Sequence, residues 1–405
     1  GIFTGNQRRL HRLIFCHESV PEDLRIVRHA LLTTELMKQN ERLLSLDALR
    51  GFDMLFIMGF SGLIAAICAL WPSPLTDAVA RQMGHVSWNG LTQHDTIFPL
   101  FLFIAGVSFP FSLAKQRVVG VSERRILFKV IRRGVTLVIL GMVYNGLLRF
   151  DFASLRMASV LGRIGLAWMF AALLYMYCGL RTRIAFAAVV LIGYSLLICL
   201  VVAPDAPDGS DPLSVTGNIA GWVDRQWLPG TLACGSFDPE GLLSTLPAIV
   251  SALFGMFTGE FLLRKRLSLS GGRIALYIAL AAAAITLIGI VWSYWMPINK
   301  KLWSSSFTCV VTGYSLGLFA LFYYLIDVRG WKRWPFFFRV VGLNSITIYM
   351  AQRIVGFGGI ANFFFGGAAS HCPEAIARVI SNAGYVAICW LFLYFLYRKS
   401  TFLKV

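Results

Sequence analysis

The sequence predicts an all-α integral membrane protein: a single polytopic bundle of about ten (ten to eleven) transmembrane helices. Three observations predict it. Of the 405 residues, 57% are hydrophobic and only 14% charged, where soluble domains carry about 25%. The apolar residues fall in runs long enough to cross a hydrocarbon layer of about 30 Å. The formal net charge is +17, and its Lys and Arg sit in short clusters between alternate runs. That distribution orients a membrane protein and does not suit a nucleic-acid surface. The bilayer is the expected partner, and nucleic acid is not.

Residues 1–36 are basic and polar and hold no apolar core of signal-peptide length. Met37 reads as a natural start just before the first apolar run, so 1–36 are expected to be a disordered or non-native extension. Residues 37–405 are expected to form the bundle. Spans are expected near 50–71, 97–115, 131–149, 158–178, 184–203, 243–263, 274–296, 304–326, 336–355 and 376–398. No matched pair of Gly/Pro-broken helices is visible among them. Basic clusters at Lys38–Arg50, Lys115–Arg133, Arg181–Arg183, Arg264–Arg273, Arg329–Arg339 and Arg398–Lys404 alternate with connections nearly free of such charge. The positive-inside rule then places both termini in the cytoplasm of a multi-pass protein of the cell (inner) membrane. Loops 72–96, 204–242 and 356–375 fall on the outer side. Cysteines such as Cys68, Cys309 and Cys389 lie in or at the edges of apolar runs, as small hydrophobes do. Only Cys234 and Cys372 fall in outer loops, where a disulfide is conceivable. No metal-ligand spacing occurs, and no metal is expected.

The densest polar stretch runs from His85 through Trp88, Asn89, Gly90, Thr92, His94 and Asp95 to Pro99. A histidine near neutral pKa can take a proton from a nucleophile and return it to a leaving group. Asp95 can orient an imidazole or hold substrate, and Asn89 and Thr92 offer neutral hydrogen bonds. A plain interfacial loop, with Trp88 as anchor and Asn89-Gly90 as a turn, accounts for the same residues. Ionisable groups at membrane depth, among them Asp53, Arg132, Arg133, Arg163 and Glu260, need a cavity or a partner. Arg163 either stabilises an anionic ligand or pairs with an acid such as Asp53; Arg132 and Arg133 either snorkel or hold phosphates. Asp238-Pro239 ahead of the sixth run reads as N-cap and N1 of its helix, which explains Glu240 only in part. Asn299, Lys300 and Lys301 break the charge rule on the outer side, as an anion site or an interfacial anchor would.

These residues carry a resemblance. Leu49-Arg50-Gly51, the block from His85 to Pro99, Asp238 to Gly241, Pro297 to Trp303 and Gly342 to Ser345 occur in this order in the heparan-alpha-glucosaminide N-acetyltransferase family. The chain resembles that family over 43–405. The resemblance implies acetyl-CoA as co-substrate on the cytoplasmic side and an amino-sugar acceptor, a glucosamine-type glycan end, on the far side. It implies His85, and not His94, as the catalytic histidine, with Asp95 beside it. Asn89, Thr92, Arg163, Asp238, Glu240, Asn299, Lys300 and Asn344 are then the candidates for substrate binding, and Arg132 and Arg133 for CoA. The lysosomal member suggests a homodimer. Ser61 stands where that member has a catalytic Asn. The rival from another class is a transporter or flippase for a sugar or anionic metabolite, which buried polar groups also fit. A non-enzymatic assembly protein gives His85 and Asp95 no reason to sit together.

Overall fold

In the computed structural model, residues 43–403 are described; the expectation for 1–36 lies outside the described residues. These are α1 Leu44–Leu55, α2 Ser61–Cys68, α3 Pro74–Gln82, α4 Gln93–Val118, α5 Glu123–Tyr144, α6 Val160–Tyr177, α7 Leu180–Leu200 and α8 Ile219–Trp227. They continue with α9 Thr245–Lys265, α10 Gly271–Trp292, α11 Ser305–Phe322, α12 Phe336–Leu343, α13 Ser345–Ile354, α14 Phe357–Ser370 and α15 Glu374–Arg398. The chain is an all-helical, polytopic membrane bundle. Among the described residues, eight stretches are long and apolar enough to cross a bilayer: α1–α2, α4, α6, α7, α9, α10, α11 with its extension to Val328, and α15.

The two other expected spans take different forms. The run at 131–149 belongs to α5, whose 22 residues reach about 33 Å at 1.5 Å per residue and carry five Lys and Arg in the first three turns. The run at 336–355 is broken at Asn344 into two short helices. The expected outer loop 356–375 is mostly the helix α14, because Phe357–Ser370 holds no charge and no proline to stop it. Broken helices, unseen in the sequence, are present twice. α1 and α2 meet through a π turn at Phe56–Phe60, where Gly59 adopts φ +112°, a region closed to most side chains. The second break is the one at Asn344. Cys234 and Cys372 are free thiols, not a disulfide.

Burial sorts the helices into layers. The spans of α4, α9 and α11 are about two-thirds buried or more, those of α10 and α15 about a quarter. α10 displays Leu276, Leu280, Leu287, Ile288 and Val291 outward, an apolar face that water would not tolerate and lipid does. α4 and α9 approach so closely that a Cβ on Gly255 would lie 2.2 Å from the Phe103 carbonyl oxygen, the small-residue contact typical of membrane helix pairs. Alternating helix directions gather the connections into two ends. A basic end holds 119–122, 178–179, 266–270 and 329–335, and a loop end holds 69–92, 145–159, 201–244 and 293–304.

Candidate active site

The loop end is stitched together by main-chain and side-chain hydrogen bonds. Asn89-Gly90 does turn, with Gly90 at φ +122°, and Gly90 N–H donates to the Ile298 carbonyl at 2.8 Å. Asn299 Nδ2 donates to Asn89 Oδ1 at 3.0 Å, and Lys301 Nζ to the Ser87 carbonyl at 2.5 Å. Trp88 donates from Nε1 to the Leu213 carbonyl at 2.8 Å and meets Phe237 edge-on at 5.2 Å. It is a clasp between loops more than a membrane anchor.

Asp95 is the hub. It stands at N3 of α4 and accepts the Thr92 N–H at 3.3 Å, the half of a capping box that an acid at N3 supplies. The Thr92 hydroxyl lies 2.8 Å from the same Oδ2. Oδ1 is 2.6 Å from His85 Nδ1 and 3.2 Å from Lys300 Nζ. Facing a carboxylate, Nδ1 carries the imidazole proton, and the lone pair is left on Nε2. Lys300 is also 3.3 Å from Nδ1, but two donors do not bond, so its ammonium belongs to Asp95. The carboxylate side chain is 1% exposed and the imidazole 56%: the carboxylate is sealed and the ring faces outward. Burial pushes the Lys300 ammonium below its ordinary range, against the upward pull of Asp95.

A second ionic joint lies alongside. Arg156 reaches Asp238 through Nε at 2.8 Å and Nη2 at 2.6 Å, and pairs with Glu240 as well. Burial alone would raise the Asp238 carboxyl, but the Arg156 hydrogen bond and charge hold it below the usual carboxylate range. Asp238 also accepts the N–H groups of Ala233 and Glu240. It is therefore not the N-cap of a helix: α9 begins at Thr245, after Ser244, because Arg156 and the 233–240 turn claim the acid. Beside it, burial pushes Asp224 up to about 6 although it accepts the N–H groups of Asp238 and Leu242. Arg163 does not pair with Asp53. It donates to the Gly241 carbonyl at 3.2 Å and to Ser244, and lies 5.1 Å over the Trp303 ring.

The expected site residues thus divide. His85, Asp95, Thr92 and Lys300 form one cluster, joined through the loops to Asn89 and Asn299; Asp238, Glu240 and Arg163 form the neighbouring joint. Asn344 is not brought there. It is buried at the helix break, donates to the Thr401 carbonyl at 3.1 Å and accepts Leu403 N–H at 3.4 Å, so it ties the segment beyond α15 to the basic end. Arg132 is exposed, whereas Arg133 lies 4.3 Å over Trp168 with its Nε buried and without an acceptor. One participant and one contact were missed. Arg156 is a cation in an outer connection, and the exception that singles out Lys300 singles it out equally. Ser61 Oγ lies 2.9 Å from His94 Nδ1, and no spacing rule joins residues 33 apart across a helix break. Among the described residues no His, Cys, Asp or Glu cluster is arranged to hold a metal.

Comparison with known proteins adds two findings. A family profile described as a domain of unknown function, DUF5009, matches residues 42–201. Heparan-alpha-glucosaminide N-acetyltransferases from Homo sapiens and Mus musculus are each 27% identical to the chain over 79% of its length. The chain is similar to the heparan-alpha-glucosaminide N-acetyltransferases. It spans about half the length of these curated relatives, 55% of the human and 56% of the mouse protein. The DUF5009 match takes in His85, Asp95, Arg133, Arg156 and Arg163 but stops short of Asp238 and Lys300, so the His85–Asp95 contact lies within it and the lysine beside Asp95 does not.

Proposed function

We propose that this protein is a membrane acetyltransferase that moves an acetyl group from acetyl-CoA, bound at the basic end, to an amino sugar at the loop end. The observation that carries the reading is the sealed Asp95 carboxylate orienting a half-exposed His85, in a chain similar to N-acetyltransferases. His85 Nε2 takes the proton of the acceptor amine as the nitrogen attacks the thioester carbonyl. Asp95 fixes the tautomer and stabilises the imidazolium, as the acid of a catalytic triad does. Asn89 accepts from Asn299 through its oxygen, which leaves its amide N–H groups to donate to the acceptor or to the developing oxyanion. Thr92, with Asp95 and the Gly84 carbonyl on its hydroxyl, holds the acid and does not reach substrate. The same cluster accommodates direct transfer and an acetyl-His85 intermediate.

CoA entering from the basic end fits the bundle interior on one specific ground. Arg133 is a cation with a buried, unpartnered Nε on an indole face, which suits a phosphate or carbonyl oxygen. Arg132 adds charge at the surface. In this reading the basic end is cytoplasmic, both termini lie there, the membrane is the cell (inner) membrane, and two copies associate. The transporter reading gains the two broken helices, yet it gives His85 and Asp95 no task. The test is purified protein in liposomes with radiolabelled acetyl-CoA, with and without glucosamine-terminated oligosaccharides. Acceptor-dependent transfer that disappears in His85→Ala supports the proposal. Sugar flux with the thioester intact sinks it in favour of transport.

A further inference from the structure

The His85–Asp95 pair is not the end of the polar chain. Behind the His85 imidazole stands His94, edge to face at 4.6 Å between ring centroids and 64° between planes. On the far side of His94, Ser61 Oγ lies 2.9 Å from Nδ1. Ser61 is 7% exposed. It opens α2 immediately after the π turn and the Gly59 kink, and lies about 10 Å of helix short of the end of α2 at 1.5 Å per residue. The kink is what turns this hydroxyl toward α4. Among the described residues His94 has no other hydrogen-bond partner, and a serine hydroxyl held against an imidazole is the contact that a nucleophile makes with its base.

We propose that Ser61 and His94 form a first acyl station, set deeper in the bundle than His85. This rests on the acetyltransferase reading above. The Ser61 hydroxyl donates to His94 Nδ1, whose ring carries its proton on Nε2. Ser61 Oγ attacks the thioester carbonyl carbon as its proton passes to His94. The C–S bond breaks, and the CoA thiolate leaves with that proton as the free thiol, so acetyl-Ser61 forms with no net charge change. In the second half the acceptor amine attacks the ester carbonyl. Its proton is taken by His85 Nε2 and passes on to Ser61 Oγ as the ester C–O bond breaks, so the amide leaves, the serine hydroxyl is restored and both histidines end neutral. Each histidine serves one half-reaction. The order of stations follows the path: a thioester arriving from the basic end meets the buried serine before the half-exposed His85, and the acceptor meets His85 first.

The experiment incubates purified protein with acetyl-CoA and no acceptor, then locates the acetyl group by peptide mass spectrometry. The His85→Ala variant is the decisive sample, because it retains the first station and lacks the base of the second. Acetyl-Ser61 accumulating in His85→Ala, absent in Ser61→Ala and formed about 10²–10⁴-fold more slowly in His94→Ala, supports the relay. Ser61→Cys guards against a folding defect in the alanine variant: it keeps a nucleophile, and its label becomes a thioester cleaved by neutral hydroxylamine. Acetyl-CoA turnover by the wild type with Ser61 unlabelled in His85→Ala overturns the relay and leaves the proposed function standing. Label on Ser61 without transfer to any amino sugar keeps the relay and places the fault in the acceptor. No label and no turnover in the wild type removes both.

Discussion

Replacing Asp95 by Asn tests the catalytic cluster most directly, because the change is isosteric and its consequences can be worked from distances. The carboxylate lies 2.6 Å from His85 Nδ1 and 3.2 Å from Lys300 Nζ. At an effective dielectric of 20 a charge pair at that second distance is worth about 5 kcal/mol. Lys300 keeps 18% of its side chain exposed, so screening leaves a stability loss of roughly 2–3 kcal/mol when its counter-charge is removed. The chemical effect is separate. An amide at position 95 can present N–H to Nδ1 and drive the proton to Nε2, which removes the lone pair that takes the acceptor's proton. Loss of a general base costs about 10²–10⁴-fold, or about 3–5 kcal/mol in the barrier.

The assay is initial-rate acetyl transfer in liposomes, with kcat and KM for both substrates, beside a thermal melt of the same preparation. Asp95→Asn is expected to lose kcat with little change in either KM. Lys300→Met removes the cation and leaves the His85–Asp95 bond, so it is expected to lose far less kcat. Asp95→Asn with wild-type kcat would refute the argument, and so would equal losses in the two variants.

Arg156→Ala strands Asp238 and Glu240, whose side chains are 0% and 10% exposed. With Arg156 itself 26% exposed, the expected loss is about 2–4 kcal/mol of stability, read as a lower melting temperature in detergent. Asp224 titrates at about 6, above the usual value near 3.9. Its native state therefore binds the extra proton, and stability present in acid is lost as pH rises from about 4 through about 6. Relative to wild type, Asp224→Asn is expected to gain up to about 3 kcal/mol across that window, and a pH-independent difference between their melts would contradict the assignment. Gly255→Ala drives a methyl into the Phe103 carbonyl and is expected to cost about 1–3 kcal/mol by forcing α4 from α9. Arg133→Gln is expected to raise KM for acetyl-CoA about tenfold, the worth of one charge-assisted hydrogen bond, with KM for the acceptor unchanged.

What the sequence discloses follows from the range of the interactions involved. Lipid acts on every residue of a span, so the apolar runs read directly as helices, and the alternation of basic clusters reads as two ends. His85 and Asp95 are legible together because a single Asn89-Gly90 turn separates them and the acid sits at the third position of its helix. Lys300 was visible as a misplaced cation but not as the partner of Asp95, 205 residues away. The helix breaks were hidden because Phe56–Phe60 and Asn344 lie inside apolar runs, where hydropathy is silent about backbone geometry. Asp238-Pro239 is sound initiation chemistry on its own terms. The competing claim of Arg156, 82 residues earlier, decides against it, and no local rule contains that claim.

The bundle interior poses a last question that the loop end does not answer. Arg133 lies over Trp168 and Arg163 over Trp303, and both indoles belong to one apolar core running between α4, α6, α9 and α11. Among the described residues each arginine leaves buried N–H groups without an acceptor: Nε of Arg133, and Nε and Nη1 of Arg163. A buried donor left unmade costs about 1–3 kcal/mol, and leucine at either position would avoid that cost. Retaining such donors at two levels of the same core makes physical sense when an elongated ligand supplies the acceptors. CoA carries phosphates at one end and amide carbonyls along an otherwise slender arm, and it would meet Arg133 with the first and Arg163 with the second. On the proposed function these donors would line the co-substrate's path, which would end at the loop end beside the proposed Ser61 and His85 stations.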